Sequence, residues 1–171
     1  MECGTVLWIT GLSGAGKTTI GKMVYNSLKK DNDNVIFLDG DLLRNVFGND
    51  LGYTLDDRKK SAMRYSRLCK MLSEQGMNVI CSTISMFDEC RDWNRENINN
   101  YIEIYIKVPM EILRQRNELY DRALSGEITN VMGIDLEVEE PKNPDLIINN
   151  NDEVSKEDIV EKILYNYYLK G

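Results

Sequence analysis

The chain contains no histidine. That absence removes His-based nucleophilic triads and most metal centres from consideration, because imidazole is the usual base and metal ligand at neutral pH. Cys3, Cys69, Cys81 and Cys90 show no C-x-x-C spacing. Cys81 lies in a strand-like run and Cys69 in a helical one, so isolated buried thiols are expected, not disulfides or zinc ligands. No apolar run reaches the roughly 20 residues of a membrane span. No secretory signal precedes the first strand-like segment, and a cytoplasmic protein is expected. Positive charge is scarce too, with 21 Lys and Arg against 28 Asp and Glu and a formal net charge of −7. Such a balance argues against nucleic acid or an anionic membrane as partner, while leaving room for a local anion site. The 171 residues suit one domain, 1–171, with a real core.

What is present is a phosphate-binding loop. Gly11 to Thr18 read GLSGAGKT and satisfy G-x-x-x-x-G-K-[ST] in full. The apolar, β-prone run Val6-Leu7-Trp8-Ile9 precedes the motif and a helical stretch, Thr18 to Leu28, follows it. The loop must leave a buried strand and open a helix, so this context gives the motif its weight. Gly11, Leu12, Ser13, Gly14, Ala15 and Gly16 are expected to wrap their backbone N–H groups around the phosphates of ATP at the positive end of the helix. Lys17 is expected to reach the β- and γ-phosphates and the Thr18 hydroxyl to ligate Mg²⁺, with Thr19 beside it.

The rest of the chain alternates strand and helix. Val35 to Leu38 forms a second strand ending at Asp39-Gly40-Asp41, and a short helix is expected over Leu42 to Phe47. A long helix runs from Leu55 to about Gln75, with Asp56 and Asp57 in its first turn and Gly76 as its stop. Ala62, Tyr65, Leu68, Cys69 and Leu72 share its core face. Met77 to Ile84 reads as a third strand, followed by a polar helix through Trp93 to Ile98. Ile102 to Val108 is the fourth strand, with Pro109 at the first helical position after it. Leu146 to Ile148 is the fifth, and a last helix starts at Ser155, which forms a loose capping box with Asp158. Strands separated by helices imply an α/β fold: a parallel five-stranded sheet of the P-loop nucleotide-kinase type with helices on both faces. The stretch from Asn117 to Asp145 lacks periodicity and is expected to be a mobile lid or binding loop.

Other residues narrow the class. A GTPase would need N/T-K-x-D, and Ser155-Lys156-Glu157-Asp158 has the wrong first residue at a helix cap. Asp39 and Asp41 end the second strand, expected beside the phosphate loop, where carboxylates can hold metal-bound water or take a proton from an attacking hydroxyl. Asp39 could equally cap the strand and Asp41 the helix after it. Phosphoryl transfer spreads negative charge over the migrating group, which cations stabilise. Arg44 follows Asp41, and Arg58 sits in the first turn of the long helix, where a cation opposes the helix dipole and so points to an anionic partner. Arg114, Arg116 and Arg122 flank or enter the lid, where a solvated-face role competes with a functional one.

These residues resemble the adenylyl-sulfate kinases, which use ATP to phosphorylate the ribose 3′-hydroxyl of adenylyl sulfate. The resemblance runs from about Gly4 to Ile148 in ordered motifs. These are WITGLSGAGKTT from Trp8; Asp39-Gly40-Asp41 with Arg44; DLGYTLDDR from Asp50; Thr83-Ile84-Ser85 in place of the F-I-S element; Leu119-Tyr120, Arg122-Ala123, Gly126-Glu127-Ile128 and Gly133-Ile134-Asp135 in the lid; and Pro141 with Pro144-Asp145-Leu146. It implies a kinase using ATP and Mg²⁺, usually as a homodimer. It further implies that Asp39, Asp41, Arg44, Arg58, Ser61, Ile84, Ser85 and Val131 bind the acceptor, and it marks Ser85 as a proposed phospho-enzyme residue. A serine that only hydrogen-bonds is the simpler physical reading, since in-line transfer needs no covalent stop.

Against the family pattern, departures are expected to gather in the acceptor pocket. Asparagines are replaced by Leu42 and Ser61; the P-Y-R run is Met86-Phe87-Asp88; a lid Lys-Gly pair is missing and a lysine is Asp121; the Phe-Thr pair before G-I-D is Val131-Met132. Losing an aromatic platform removes about 1–3 kcal/mol of base stacking. The favoured reading is a branch of the family whose acceptor is cytidine diphosphoramidate, used in modifying capsular polysaccharide. A true adenylyl-sulfate kinase of sulfate assimilation is the alternative, and a nucleotide-binding regulator without turnover is a second.

Overall fold

Val6, Leu7, Trp8 and Ile9 are all buried, none more than 1% exposed. Only a strand covered on both faces tolerates such a run. It belongs to β1 (Thr5–Thr10), followed by α1 (Lys17–Leu28), β2 (Val35–Asp39), α2 (Gly40–Val46) and α3 (Leu55–Glu74). Then come β3 (Asn78–Ser82), α4 (Asp88–Asn97), β4 (Asn100–Lys107), α5 (Met110–Arg116), α6 (Leu119–Leu124), β5 (Leu146–Asn149) and α7 (Lys156–Lys170). The computed structural model describes residues 2–170. All strand pairings are parallel, in the order β2-β3-β1-β4-β5.

Alternation along β1 divides the core. Leu7 and Ile9 pack with Ile20, Val24 and Leu28 of α1 and Ile159, Val160 and Ile163 of α7. Val6 and Trp8 pack with Leu43 of α2, Ala62, Tyr65 and Cys69 of α3 and Cys90 of α4. α1 crosses the sheet so closely that a Cβ at Gly21 would lie 2.4 Å from Ser82 Oγ and 2.8 Å from Phe37 Cε2. This glycine brings the helix onto the sheet.

The five strands and both covered faces stand as expected from the sequence. Several local expectations are corrected. β3 is interposed between β1 and β2, yet the end of β2 still reaches the phosphate loop, with Thr18 Oγ1 donating to Asp39 Oδ2 at 2.6 Å. Asp39, not Asp41, caps α2: its side chain accepts from the Asp41 and Leu42 N–H groups at 3.1 and 3.4 Å, and the helix begins at Gly40. β3 ends at Ser82; Thr83 N–H still donates to Ile9 O at 3.0 Å, and Ile84 and Ser85 lie beyond the strand. Pro109 is the residue before α5, not its first residue. The segment 117–145 is not featureless, since α6 lies within it and Tyr120, Val131 and Met132 are buried. The thiols of Cys69, Cys81 and Cys90 are free and buried, in keeping with the sequence, while Cys3 is only half-buried. The neighbouring Cys69 thiol and burial push the Cys81 thiol up, and Ser66 Oγ lies 3.2 Å from the Cys90 sulfur.

Among the described residues, no helix is long and apolar enough to cross a membrane.

Candidate active site

The loop between β1 and α1 bends through left-handed glycines, Gly14 at φ 79° and Gly16 at φ 95°. It lines a cavity of about 400 Å³ with Ser13, Gly14, Gly16, Lys17, Thr18 and Thr19. Asp39, Gly40, Asp41, Ser82, Thr83, Ile84 and Arg116 complete the wall. Gly11 and Ala15 are buried beneath the loop, and Leu12 supplies the carbonyl that accepts from Lys17 Nζ at 2.8 Å. Burial lowers the Lys17 pKa to about 8, with Asp41 and Asp39 pulling it back up. The ammonium is therefore held in a poorly solvated position facing two carboxylates.

Thr18 Oγ1 donates to Asp39 Oδ2 at 2.6 Å. One Asp39 carboxylate thus fixes the Thr18 hydroxyl with one oxygen and the start of α2 with the other. Hydroxyl, carboxylate and nearby phosphate oxygens form the hard donor set that Mg²⁺ prefers, and Mg²⁺ sites in kinases commonly use few protein ligands. The residues present fit that ion. No larger group of acidic or Cys ligands occurs among the described residues.

A second cavity of about 340 Å³ adjoins the first, and Ser13, Gly40, Asp41, Thr83 and Ile84 line both. Asp41 is exposed at this junction. Ser85 lines only the second cavity. It is buried, sits at φ 26° and pairs with Thr83, Oγ to Oγ1, at 2.7 Å. A non-glycine backbone there is strained by about 1–3 kcal/mol, a cost that clusters at functional sites.

Arg44 and Arg58 both face the second cavity, and their guanidinium carbons lie 4.4 and 5.2 Å from the Tyr53 ring centre. Arg44 Nη1 donates to the Leu51 and Gly52 carbonyls at 3.1 and 3.0 Å. Arg58 donates from Nε to Tyr53 O at 3.0 Å and from Nη2 to Asn130 O at 2.7 Å. Burial and the Arg44 charge together lower the Arg58 pKa. Two cations held side by side, each with N–H groups left over, make a site for an anion. Asp135 fixes the far wall by accepting from the Asn130 and Val131 N–H groups at 2.6 and 2.7 Å.

The departures from the family pattern divide in the structure. Ser61, Phe87, Val131 and Met132 line the second cavity. The others do not. Leu42 is exposed on α2, Met86 is fully buried, Asp88 pairs with Arg91 and Lys142, and Asp121 pairs with Arg114. The expectation that all gather in one pocket is corrected accordingly. Among the lid arginines, Arg114 and Arg122 form ion pairs with Asp121 and Glu127 at the surface, whereas Arg116 lines the phosphate cavity.

Some site residues had little sequence signal. Asn150 lies beyond the last strand and beyond every motif, yet its Nδ2 donates to Ala15 O at 2.8 Å. Tyr120 sits inside a quoted motif, but only the fold shows its hydroxyl donating to Ser13 O at 2.7 Å. Tyr65 reads as a core residue by periodicity and also lines the second cavity, donating to Gly40 O at 3.2 Å.

A phosphate loop feeding a parallel sheet, an Asp-capped helix at the phosphates and a cationic cavity next door define a P-loop phosphotransferase. Comparison with known proteins makes this more specific. The model of the adenylylsulphate kinase family matches residues 3–149. The chain is 45% identical to a cytidine diphosphoramidate kinase of Campylobacter jejuni over 161 residues, covering 93% of this chain and 94% of that protein. It is 39% identical to an adenylyl-sulfate kinase of Halothermothrix orenii, covering 95% and 89%. The structure of an APS kinase from Mycobacterium tuberculosis in complex with AMPPNP and APS superposes with a TM-score of 0.88 at 31% identity, covering 98% of this chain and 99% of that one. The chain belongs to the adenylylsulphate kinase family and is a nucleotide-binding kinase that transfers a phosphoryl group to a hydroxyl.

Proposed function

We propose that the acceptor is a nucleotide with a charged phosphate tail, phosphorylated on its ribose 3′-hydroxyl, and that cytidine diphosphoramidate is favoured over adenylyl sulfate. The observation that carries this reading is the lining of the second cavity. Tyr53 and the arginines occupy one side, while Val131 and Met132 occupy the place of an aromatic and its neighbour, with Ser61 in place of an asparagine. Tyr53, Tyr65 and Phe87 also line this cavity, but valine at 131 takes away the stacking partner that the family places there, which weakens the reward for a purine over a smaller pyrimidine, and the lost asparagine removes a polar reader. The 45% identity to a cytidine diphosphoramidate kinase supports the same acceptor.

The roles follow from the two cavities. ATP phosphates lie on the loop N–H groups, with Lys17 at the β- and γ-phosphates. Thr18 and Asp39 would hold Mg²⁺, which supplies charge neutralisation at the phosphates. The acceptor occupies the second cavity with its tail against Arg44 and Arg58. Asp41, at the junction, takes the proton as the acceptor oxygen bonds to the γ-phosphorus and the bond to the β-phosphate oxygen breaks, releasing ADP. Ser85 lies on the acceptor side only, which fits an orienting hydroxyl and not a phosphorylated intermediate. An acceptor screen with ATP and Mg²⁺, with the phosphorylated position read by NMR, tests the reading. The expected product is the 3′-phosphate of cytidine diphosphoramidate, and phosphate on any other position of it would contradict the assignment.

A further inference from the structure

The phosphate loop is held from its outer side. Four consecutive carbonyls accept side-chain N–H or O–H groups: Leu12 from Lys17, Ser13 from Tyr120 at 2.7 Å, Gly14 from Arg116 at 3.4 Å and Ala15 from Asn150 at 2.8 Å. Three of those donors come from outside the loop and its helix. Tyr120 is on α6, Arg116 ends α5 and Asn150 follows β5. Two of them are joined to each other, since Arg116 Nη2 donates to Asn150 O at 3.0 Å.

Peptide geometry gives this arrangement a consequence. In a trans peptide the C=O and the next residue's N–H point in opposite directions, and no peptide bond in the described chain is cis. Drawing the Ser13 and Ala15 carbonyls outward therefore turns the Gly14 and Gly16 N–H groups the other way. Tyr120 and Asn150 are both buried, at 0% and 5% exposure, so water cannot readily replace either donor. The fit at Asn150 is close. A Cβ on Gly16 would lie 2.8 Å from Asn150 Nδ2, so glycine there admits the asparagine as well as the turn.

We propose that Tyr120 and Asn150 are positioning residues for phosphoryl transfer, fixing the loop from its carbonyl side so that its N–H groups are aimed before the nucleotide arrives. Preorganisation of this kind strengthens binding by removing the ordering cost. It also makes α6, an element of the segment expected to be a loose lid, part of the ATP site.

Titration of the full-length protein with AMPPNP tests this without reference to the acceptor. Tyr120→Phe keeps the buried ring and removes only the donor, and Asn150→Ala removes the other. Each should weaken AMPPNP about tenfold, the scale of one lost buried hydrogen bond. In steady state, KM for ATP should rise by a similar factor while the acceptor's KM at saturating ATP changes by no more than about twofold. AMPPNP affinity unchanged within about twofold in both variants would overturn the proposal. So would equal rises in both KM values, which would mark the residues as general scaffold. A failed acceptor assignment leaves the AMPPNP result untouched.

Discussion

The two cavities share a wall but differ in how their contents were set. The phosphate-side cavity takes about half of its lining from one continuous motif, Ser13 to Thr19, and the rest from the end of β2 and start of α2, the end of β3 and Arg116. Most of its polar groups have partners: Lys17 on Leu12, Thr18 on Asp39 and Asp39 on the start of α2. The acceptor-side cavity is assembled from α2, α3, the turn after β3 and the segment after α6. It keeps the two arginines and changes the apolar and polar surface that would meet a base. On the proposed assignment, chemistry common to every acceptor belongs to one side and recognition to the other. A change in base recognition would then need only side chains such as Val131 and Ser61, whereas a change in the loop would disturb backbone geometry that the whole sheet supports.

The sharpest way to break this comparison is at Lys17. Lys17→Ala removes a cation from a preorganised site, and turnover should fall by about 10³-fold or more. Near-normal turnover in a rapid-quench assay would sink the phosphate-side assignment. The same lysine sets a pH limb. Its pKa is lowered to about 8 by burial, so it becomes neutral as pH rises through that value, and kcat/KM for ATP should decline above it. Asp41 raises this pKa, so Asp41→Asn should move the limb to lower pH. That variant should also cost about 10²- to 10⁴-fold in kcat, the scale of a lost general base. A wild-type rate would transfer the proton-accepting role elsewhere.

Changes on the acceptor side should be smaller and selective. Val131→Phe combined with Ser61→Asn should shift the preference toward adenylyl sulfate by about tenfold or more, with KM for ATP unchanged. The two residues line one cavity, so their effects need not add. An equal effect on both acceptors would mean that neither residue reads the base. The smallest loss is expected for Ser85→Ala, at about tenfold or less in kcat, through a lost orienting hydrogen bond. A phosphoserine formed and consumed at the rate of turnover in a quenched-flow trace would reverse that reading.

How much of this was legible in the sequence follows the same division. The phosphate loop could be read because its residues are contiguous and each answers to a local requirement, such as glycine at positive φ or lysine and threonine after the turn. The strands were legible for a similar reason, as Val6 to Ile9 is apolar throughout and Ile102, Ile104 and Ile106 recur at alternate positions. Strand order was not, because β3 enters between β1 and β2 through a crossover that leaves no local mark. Asp39 illustrates the cost. Its motif was visible and its capping of α2 is local, but the bond to Thr18 depends on where β2 lies. In the acceptor cavity, Arg58 was legible as a cation misplaced in a helix's first turn. Its ties to Tyr53 and Asn130 were hidden by a separation of 72 residues from the latter. Asn150 was invisible for the same reason, since an asparagine after a short strand carries no signal until the loop it braces is brought beside it.

Whether a retained phosphate side sits beside a rewritten acceptor side is decided by kcat/KM for cytidine diphosphoramidate and for adenylyl sulfate on the unmodified protein at saturating ATP and Mg²⁺. The higher value is expected for cytidine diphosphoramidate, by about tenfold or more where the lost stacking partner at 131 decides. Efficient turnover of adenylyl sulfate with none of the cytidine compound would contradict it and leave an adenylyl-sulfate kinase that has drifted in its pocket.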